Sequence, residues 1–277
     1  MKPIPKKVNE RLVKGIKKFH KILEDARSRD INESDTVVII TDMLSEIFGF
    51  DKYSEITSEF AIRGTYCDLV TQIDGDLQYL IEVKAVGVEL KESFIKQAVD
   101  YAANQGIDWV ILTNGIRWIV YKIAFTKPID KDQVIRFNFN ELNPKNKSHL
   151  EIMFCLSKEG CNKSVLDEYH SQRQVLNKYF IGSVIITDPM LNTIRRELKK
   201  LAPDIGTDNE QIKKVISQEI FKREILESEK AQEASKKINY KIKKYQKAKD
   251  KVQEKKHTIE IEPERQTQPS DEQDVDA

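Results

Sequence analysis

Asp68, Glu82 and Lys84 are the residues of this chain whose types and spacing could do chemistry together. The segments Tyr66–Ile73 and Leu77–Lys84 read as strands parted by Asp74-Gly75-Asp76, a turn signal. Two registers compete for that hairpin. A two-residue Asp74-Gly75 loop pairs Ile73 with Asp76 and sets Asp68 opposite Ile81. A three-residue loop pairs Ile73 with Leu77, Thr71 with Tyr79, Leu69 with Ile81 and Cys67 with Val83. Burial selects the second, because a slip of one residue turns the apolar set towards solvent. The other face then presents Asp68 beside Glu82, with Lys84 two residues on and Tyr66 opposite it.

Two directly opposed carboxylates have Cβ atoms about 5 Å apart. At an effective dielectric near 20 their repulsion is about 3 kcal/mol, a large share of a domain's net stability. A shared proton, a neighbouring cation or a bound metal has to offset it. Lys84 supplies one positive charge, and a divalent ion held by both carboxylates answers the geometry better. Mg²⁺ fits, since it takes oxygen ligands and usually keeps several waters. A water activated by such an ion, with help from Lys84, could attack a phosphodiester. The competing reading is a simple Asp–Glu–Lys cluster on a solvated strand face, and spacing alone does not separate the two.

Two further sets of residues bear on that choice. Glu33 lies four residues before Val37 and extends the apolar stripe of the following helix, so it aims inward if the helix starts early. It is equally well explained as an N-terminal glutamate favoured by the helix dipole. Gln97 and Tyr101 form an i,i+4 pair on one face with Phe94 of a later helix. As core and boundary residues they need no further explanation.

The ordered set Cys67-Asp68, Ile81-Glu82-Val83-Lys84 and Gln97-Ala98-Val99-Asp100-Tyr101 resembles the D…ExK…QxxxY pattern of PD-(D/E)xK nucleases. More narrowly, Glu33-Ser34-Asp35-Thr36 through Tyr121 resembles the N-terminal nuclease domain of type I restriction enzyme motor subunits. The run Asp100–Gly106 followed by Leu112-Thr113-Asn114-Gly115 is typical of that group. ExK alone is a weak signal, whereas the ordered set is specific. The resemblance implies that Asp68, Glu82 and the Val83 carbonyl hold Mg²⁺, with Mn²⁺ as a substitute. It implies that Lys84 positions water or stabilises charge, that Gln97 and Tyr101 support the site or meet the DNA backbone, and that Glu33 assists near the metal. Cys67 stands where the name-giving proline would be. No GxxxxGK[ST] phosphate loop occurs, so the resemblance covers a nuclease part without its ATP-driven motor.

The elements around these residues read as follows. Residues 1–29 form a basic, weakly amphipathic helix with Leu12, Ile16, Phe19 and Leu23 at helical spacing. A helix from about Ser34 to Phe48 carries Val37, Ile40, Leu44 and Ile47, with Ser34 as cap and Gly49 as stop. Glu55–Ile62 is a strand before the hairpin. Lys91–Gln105 is helical and ends at Gly106. Trp109–Thr113 and Arg117–Ile123 are strands joined at Asn114-Gly115, and Val134–Phe139 alternates as another. Helices follow at about His149–Lys158, Ser164–Thr187 and up to Leu201. Thr207-Asp208-Asn209-Glu210 has capping-box spacing and opens a last helix whose apolar positions fade after Ala231. Leu150–Ala231 resembles the helical extension of stand-alone relatives of the nuclease domain, and Glu168–Gln174 reads as an exposed polar face.

The expected fold is α/β: a restriction-endonuclease-like core with a mixed β-sheet flanked by helices, then a helical extension and a charged C-terminal tail. The expected divisions are a basic helix at 1–30, a nuclease-like domain at 31–145, the extension at 146–231 and a charged helix with disordered tail at 232–277. A net charge of only +1 across 277 residues means that the whole-molecule field does not announce nucleic acid. Three cysteines without CxxC spacing argue against a disulfide framework or zinc knuckle and fit a reducing cytoplasm. No apolar stretch suits a signal peptide or a membrane span. His20, His149, His170 and His257 lack a nucleophile context. The function expected is an Mg²⁺-dependent endonuclease acting on DNA, in restriction, phage defence or DNA repair. The alternative is a DNA-binding or adaptor protein of nuclease fold that needs a partner subunit for cleavage. The C-terminal helices, coiled-coil-like in composition, would serve a homo-oligomer or that partner.

Overall fold

A computed structural model describes residues 2–245 apart from 63, 64, 127, 205, 243 and 244. The chain forms two compact units, Met1–Gln172 and Arg173–Ala277. Among the described residues no helix is long and apolar enough to cross a membrane. The expected disordered tail lies outside the described residues beyond 245.

The first unit opens with two helices, α1 (Lys6–Ser28) and α2 (Glu33–Glu46). Strands β1 (Ile56–Ile62), β2 (Thr65–Ile73) and β3 (Asp76–Val83) follow. A 3-10 turn (Glu92–Ile95) and helix α3 (Lys96–Gln105) then lead to β4 (Trp109–Thr113), β5 (Arg117–Ala124) and β6 (Asp130–Asn138). The six strands lie side by side in sequence order. β3 and β4 are parallel and every other neighbouring pair is antiparallel. The parallel pair follows from topology: α3 carries the chain back across one face of the sheet before β4 begins.

Each face of the sheet has its own core. Leu69, Ile73, Tyr79, Ile81 and Val83 point into a cluster shared with α1, α2 and the later helix α4 (Lys147–Cys155). Val70, Leu80, Val110 and Leu112 point into the second cluster, with Ile95 before α3 and Ala98, Val99 and Ala102 on it. The alternation along β2, β3 and β4 therefore feeds two cores at once, as a sheet covered on both faces requires. The N-terminal helix is integral to the first of them. Val8, Leu12, Ile16, Phe19 and Leu23 of α1 are buried there, and Gly15 lets Ile47 close in where a Cβ would sit 2.7 Å from its Cγ1.

Several boundaries differ from the sequence reading for local reasons. The cap of α2 is Asn32, whose side chain accepts the Asp35 N–H at 2.9 Å; Ser34 lies inside the helix. Ser164–Thr187 is two helices, α6 (Val165–Val175) and α7 (Lys178–Ile185), because Asn177 turns its side chain onto the N–H groups of Tyr179 and Phe180. Between α4 and α6 lies a single turn, α5 (Lys158–Cys161). In the run read as an exposed face, Glu168 pairs with Lys2 and His170 with Asp132 at 2.9 Å, while 171–174 are exposed.

In the second unit α7 is followed by α8 (Asp188–Leu201), α9 (Asn209–Val215), a π-turn (Ile216–Ile220) and α10 (Glu224–Glu227). The capping box is real but one residue later than read: Asp208 accepts the Gln211 N–H while Gln211 accepts the Asp208 N–H. Leu191, Ile212 and Ile216 form a small core. Helical structure resumes over 229–242, where Ala231, Ala234 and Ile238 are buried, so the apolar spacing persists beyond Ala231.

Candidate active site

The β2–β3 hairpin uses both registers. At its tip Ile73 pairs with Asp76 across Asp74 and Gly75, whose φ values of 52° and 88° are those of a two-residue primed turn. The register then shifts between Thr71 and Gln72. Beyond the shift Thr71 faces Tyr79 and Leu69 faces Ile81, the pairing that burial demands. Asp-Gly chemistry sets the turn, core packing sets the body, and a bulge absorbs the single residue of disagreement.

The ladder between β2 and β3 stops at Leu69 and Ile81. The expected Cys67–Val83 pair does not form. The Val83 N–H donates instead to Asp68 Oδ2 at 2.7 Å, so a carboxylate stands where a ladder carbonyl would. Cys67 is buried with the α3-side cluster rather than with Leu69, and its thiol lies 3.3 Å from the Ile81 carbonyl. Beyond this point β3 keeps only its other neighbour, with Val83 beside Thr113 and the Lys84 N–H donating to the Thr113 carbonyl at 2.9 Å. Tyr66 does not face Lys84; it pairs with Ala61 on β1 and is largely exposed.

The opening between β2 and β3 gathers the charged groups. Lys84 Nζ donates to Glu82 Oε1 at 2.9 Å and to the Val83 carbonyl at 2.8 Å, and lies 3.3 Å from Glu33 Oε1. The ammonium also sits 5.8 Å from the Phe94 ring centroid. Lys84 and Glu82 are only 17% and 19% exposed, against 47% for Glu33, so the first pair is largely withdrawn from water and Glu33 closes the site from its rim. Glu33 is the first residue of α2, so its inward aim and its place at the helix dipole are one arrangement.

The electrostatics reflect crowding. Burial raises the Asp68 carboxyl above its ordinary value, although the Val83 N–H and Lys84 pull it down. Burial likewise raises Glu82, with the Asp68 charge adding to the rise and Lys84 opposing it. Burial pushes the Lys84 ammonium down, but the hydrogen bond and charge of Glu82, with Glu33 and Asp68 behind them, outweigh it and leave the pKa raised. Lys84 is therefore held as a cation, suited to stabilising negative charge and ill-suited to taking a proton.

The donor set can be judged against an ion from the ammonium itself. Glu82 Oε1 and the Val83 carbonyl both contact one positively charged atom. Among the described residues no three His, Cys, Asp or Glu side chains group as a metal cluster. An ion here would thus rely on two carboxylates, a peptide carbonyl and water, an all-oxygen set of the kind Mg²⁺ accepts.

Gln97 and Tyr101 lie on α3, whose inner face packs on β3 and β4. Gln97 is exposed, and Tyr101 is half-buried edge-on to Phe60 at 6.2 Å. Neither makes a hydrogen bond to Asp68, Glu82 or Lys84 among the described residues. The sequence marks Asn114 only as a turn residue. It is buried, and its side chain donates to the Val86 and Val88 carbonyls at 3.3 and 2.9 Å and accepts from Ile116 and Arg117. It ties the β4–β5 hairpin to the loop that leaves Lys84, a role visible only once β3 and β4 are neighbours.

Among the described residues no cysteine or histidine is set up as a nucleophile. Cys67, Cys155 and Cys161 are free thiols whose pKa values burial pushes up to about 12, which keeps them protonated at neutral pH. His20 meets the Phe139 carbonyl, His149 accepts the Asn143 N–H, and His170 pairs with Asp132. His257 lies outside the described residues.

Residues 40–133 match the family model of the type I restriction enzyme R protein N terminus. The matched stretch runs from α2 into β6 and contains Asp68, Glu82, Lys84, Gln97, Tyr101 and Asn114; Glu33 precedes it. No curated protein and no solved structure matches the chain.

Proposed function

We propose, taking the match to the restriction enzyme R protein N terminus as premise, that the first unit is an Mg²⁺-dependent endonuclease cutting phosphodiester bonds in DNA. The observation that carries this reading is the convergence on Val83. Asp68 holds its N–H at 2.7 Å, and Lys84 bridges its carbonyl and Glu82 at 2.8 and 2.9 Å. A passive surface cluster has no need to open a sheet and insert a partly desolvated carboxylate into the gap.

In this reading Asp68, Glu82 and the Val83 carbonyl hold the ion, with Mn²⁺ as a substitute. When bound, the ion supplies Lewis-acid polarisation of the phosphoryl group and makes the attacking water more acidic. Lys84, kept protonated by its acidic neighbours, stabilises negative charge that grows on the phosphoryl oxygens in the transition state. Glu33 holds the ammonium from the rim and limits how far it can swing. Gln97 and Tyr101 of α3 support the site or meet the DNA backbone. The biological setting is restriction and phage defence, or DNA repair.

A second reading has one observation in its favour. With a net charge of only +1, the chain lacks the strong basic field of a free DNA binder, as a partner-dependent adaptor would. Incubation of pure protein with supercoiled plasmid, linear DNA and RNA, in Mg²⁺, Mn²⁺ or EDTA, separates the two. Metal-dependent nicking that is lost in Asp68→Ala and Lys84→Ala is the expected result. DNA binding without cleavage, unchanged by either substitution, would overturn the endonuclease and favour the adaptor.

A further inference from the structure

The second unit carries a concavity of about 540 Å³. Asn192, Arg195, Arg196 and Lys199 of α8 line it, with Pro203, Gly206 and Thr207 of the connection to α9. Arg195 and Lys199 are an i,i+4 pair on one helix face, and like charges so placed destabilise a helix. Neither has an ion-pair partner among the described residues. Arg196 has only the distant Glu197 at 3.7 Å, and Glu197 itself is taken by Lys200, which contacts both its oxygens at 2.8 and 2.9 Å. Asp208, the acid at the far end of the connection, spends Oδ1 on the Gln211 N–H at 2.8 Å. Asp204 lies in the same connection but outside the lining.

The wall is therefore three cations, of which only Arg196 has an ion-pair partner among the described residues, and that at 3.7 Å. Neutral donors complete it. The Thr207 hydroxyl is one, and Asn192 is another, because its Oδ1 already accepts from Asn209 and its amide protons remain uncommitted. No Cβ at Gly206 narrows the opening, and a Cβ built there meets nothing within 4 Å. Pro203 is the one apolar side chain of the lining, and the other side chains that face the hollow end in polar or cationic groups. Forked guanidiniums, an ammonium and neutral donors in an open hollow suit phosphate oxygens.

We propose that this hollow binds the phosphodiester backbone of nucleic acid, with Arg195, Arg196 and Lys199 each neutralising a phosphate. The choice of nucleic acid over another polyanion rests on the nuclease reading of the first unit. A net charge of +1 over the whole chain does not prevent such binding, because a local cluster of cations sets the field that a phosphate meets.

The test is fluorescence anisotropy of the full chain with a labelled 20-base-pair duplex in EDTA, so that cleavage plays no part, across 50 to 200 mM salt. Each phosphate contact adds about 0.9 to the slope of log affinity against log salt. Removing three contacts in R195Q/R196Q/K199Q should make the slope shallower by about 2.7. Between 50 and 200 mM salt, wild-type affinity should then fall by about 40-fold more than that of the variant. R195K/R196K, which keeps both charges, should retain the wild-type slope. Should the triple variant fail to fold, R195Q alone should lose about 0.9. An unchanged slope, or no binding by the wild type, overturns the proposal. Plasmid cleavage in Mg²⁺ is scored separately. Cleavage with an unchanged slope sinks the hollow and spares the nuclease, whereas a slope that depends on the three cations without cleavage does the reverse.

Discussion

Asp68 is bonded to the backbone of Val83 where β2 and β3 part, its Oδ2 accepting the Val83 N–H at 2.7 Å. The carboxylate thus has a structural duty besides any role in holding a cation. Asp68→Asn can keep an oxygen on that N–H, while Asp68→Ala leaves the donor unpaired in a partly buried place. Leaving it unpaired should cost about 1–3 kcal/mol. Urea unfolding in EDTA should therefore rank Ala below Asn, while both lose cleavage by about 100-fold or more. Equal stability of the two variants would show that the bond contributes nothing.

How much of this was legible in the sequence depends on the range of the interaction. Leu69 on one strand and Tyr79, Ile81 and Val83 on the other recur at every second position, so the body of the hairpin could be read from the burial of one face. The two-residue turn and the bulge could not, because Asp74-Gly75 and the core ask for registers one residue apart and the compromise is tertiary. Cys67 went to the other core for the same reason: a strand that splays no longer obeys simple alternation. Lys84 bridging Glu82, Val83 and Glu33 joins residues on a strand and a distant helix start, which periodicity cannot place. Asn114 was hidden by its own plausibility as a turn residue.

The raised carboxyls of Asp68 and Glu82 fix the sign of a pH effect. Unfolded, both titrate near pH 4. Folded, each holds its proton to higher pH, so between the two values the native state binds more protons. Stability from these groups is then greatest at low pH and lost as pH rises through the folded values. In EDTA, Asp68→Asn and Glu82→Gln should gain stability over wild type at neutral pH, and the gain should shrink as pH falls towards 4. Denaturant midpoints from pH 4 to 8 test this, and a gain that grows in acid would reverse the assignment.

Lys84 occupies two of the oxygens assigned to the ion, Glu82 Oε1 and the Val83 carbonyl. Removing the ammonium in Lys84→Met frees both and leaves the carboxylates with more charge to neutralise. Metal affinity should rise or hold while cleavage falls. A ligand at 100 times its Kd stabilises the native state by about 2.7 kcal/mol, so Mg²⁺ titration followed by thermal unfolding reads the affinity directly. The shift should survive in Lys84→Met and vanish in Glu82→Gln. Loss of the Mg²⁺ shift in Lys84→Met would mean that the lysine helps to build the cation site rather than competing for it.

Asn114 offers a nearly isosteric test of the loop that follows Lys84. Its amide donates to Val86 and Val88 while its oxygen accepts from Ile116 and Arg117. Asn114→Asp keeps the acceptor but sets a carboxylate oxygen against the two carbonyls. Losing those bonds in a buried place should cost about 1–3 kcal/mol. Freed of its tie, the 85–88 segment no longer fixes the direction in which Lys84 leaves β3. Single-turnover cleavage should accordingly fall further than DNA affinity, which other contacts supply. Asn114→Asp that unfolds at lower denaturant yet cleaves at the wild-type rate would confine this residue to stability.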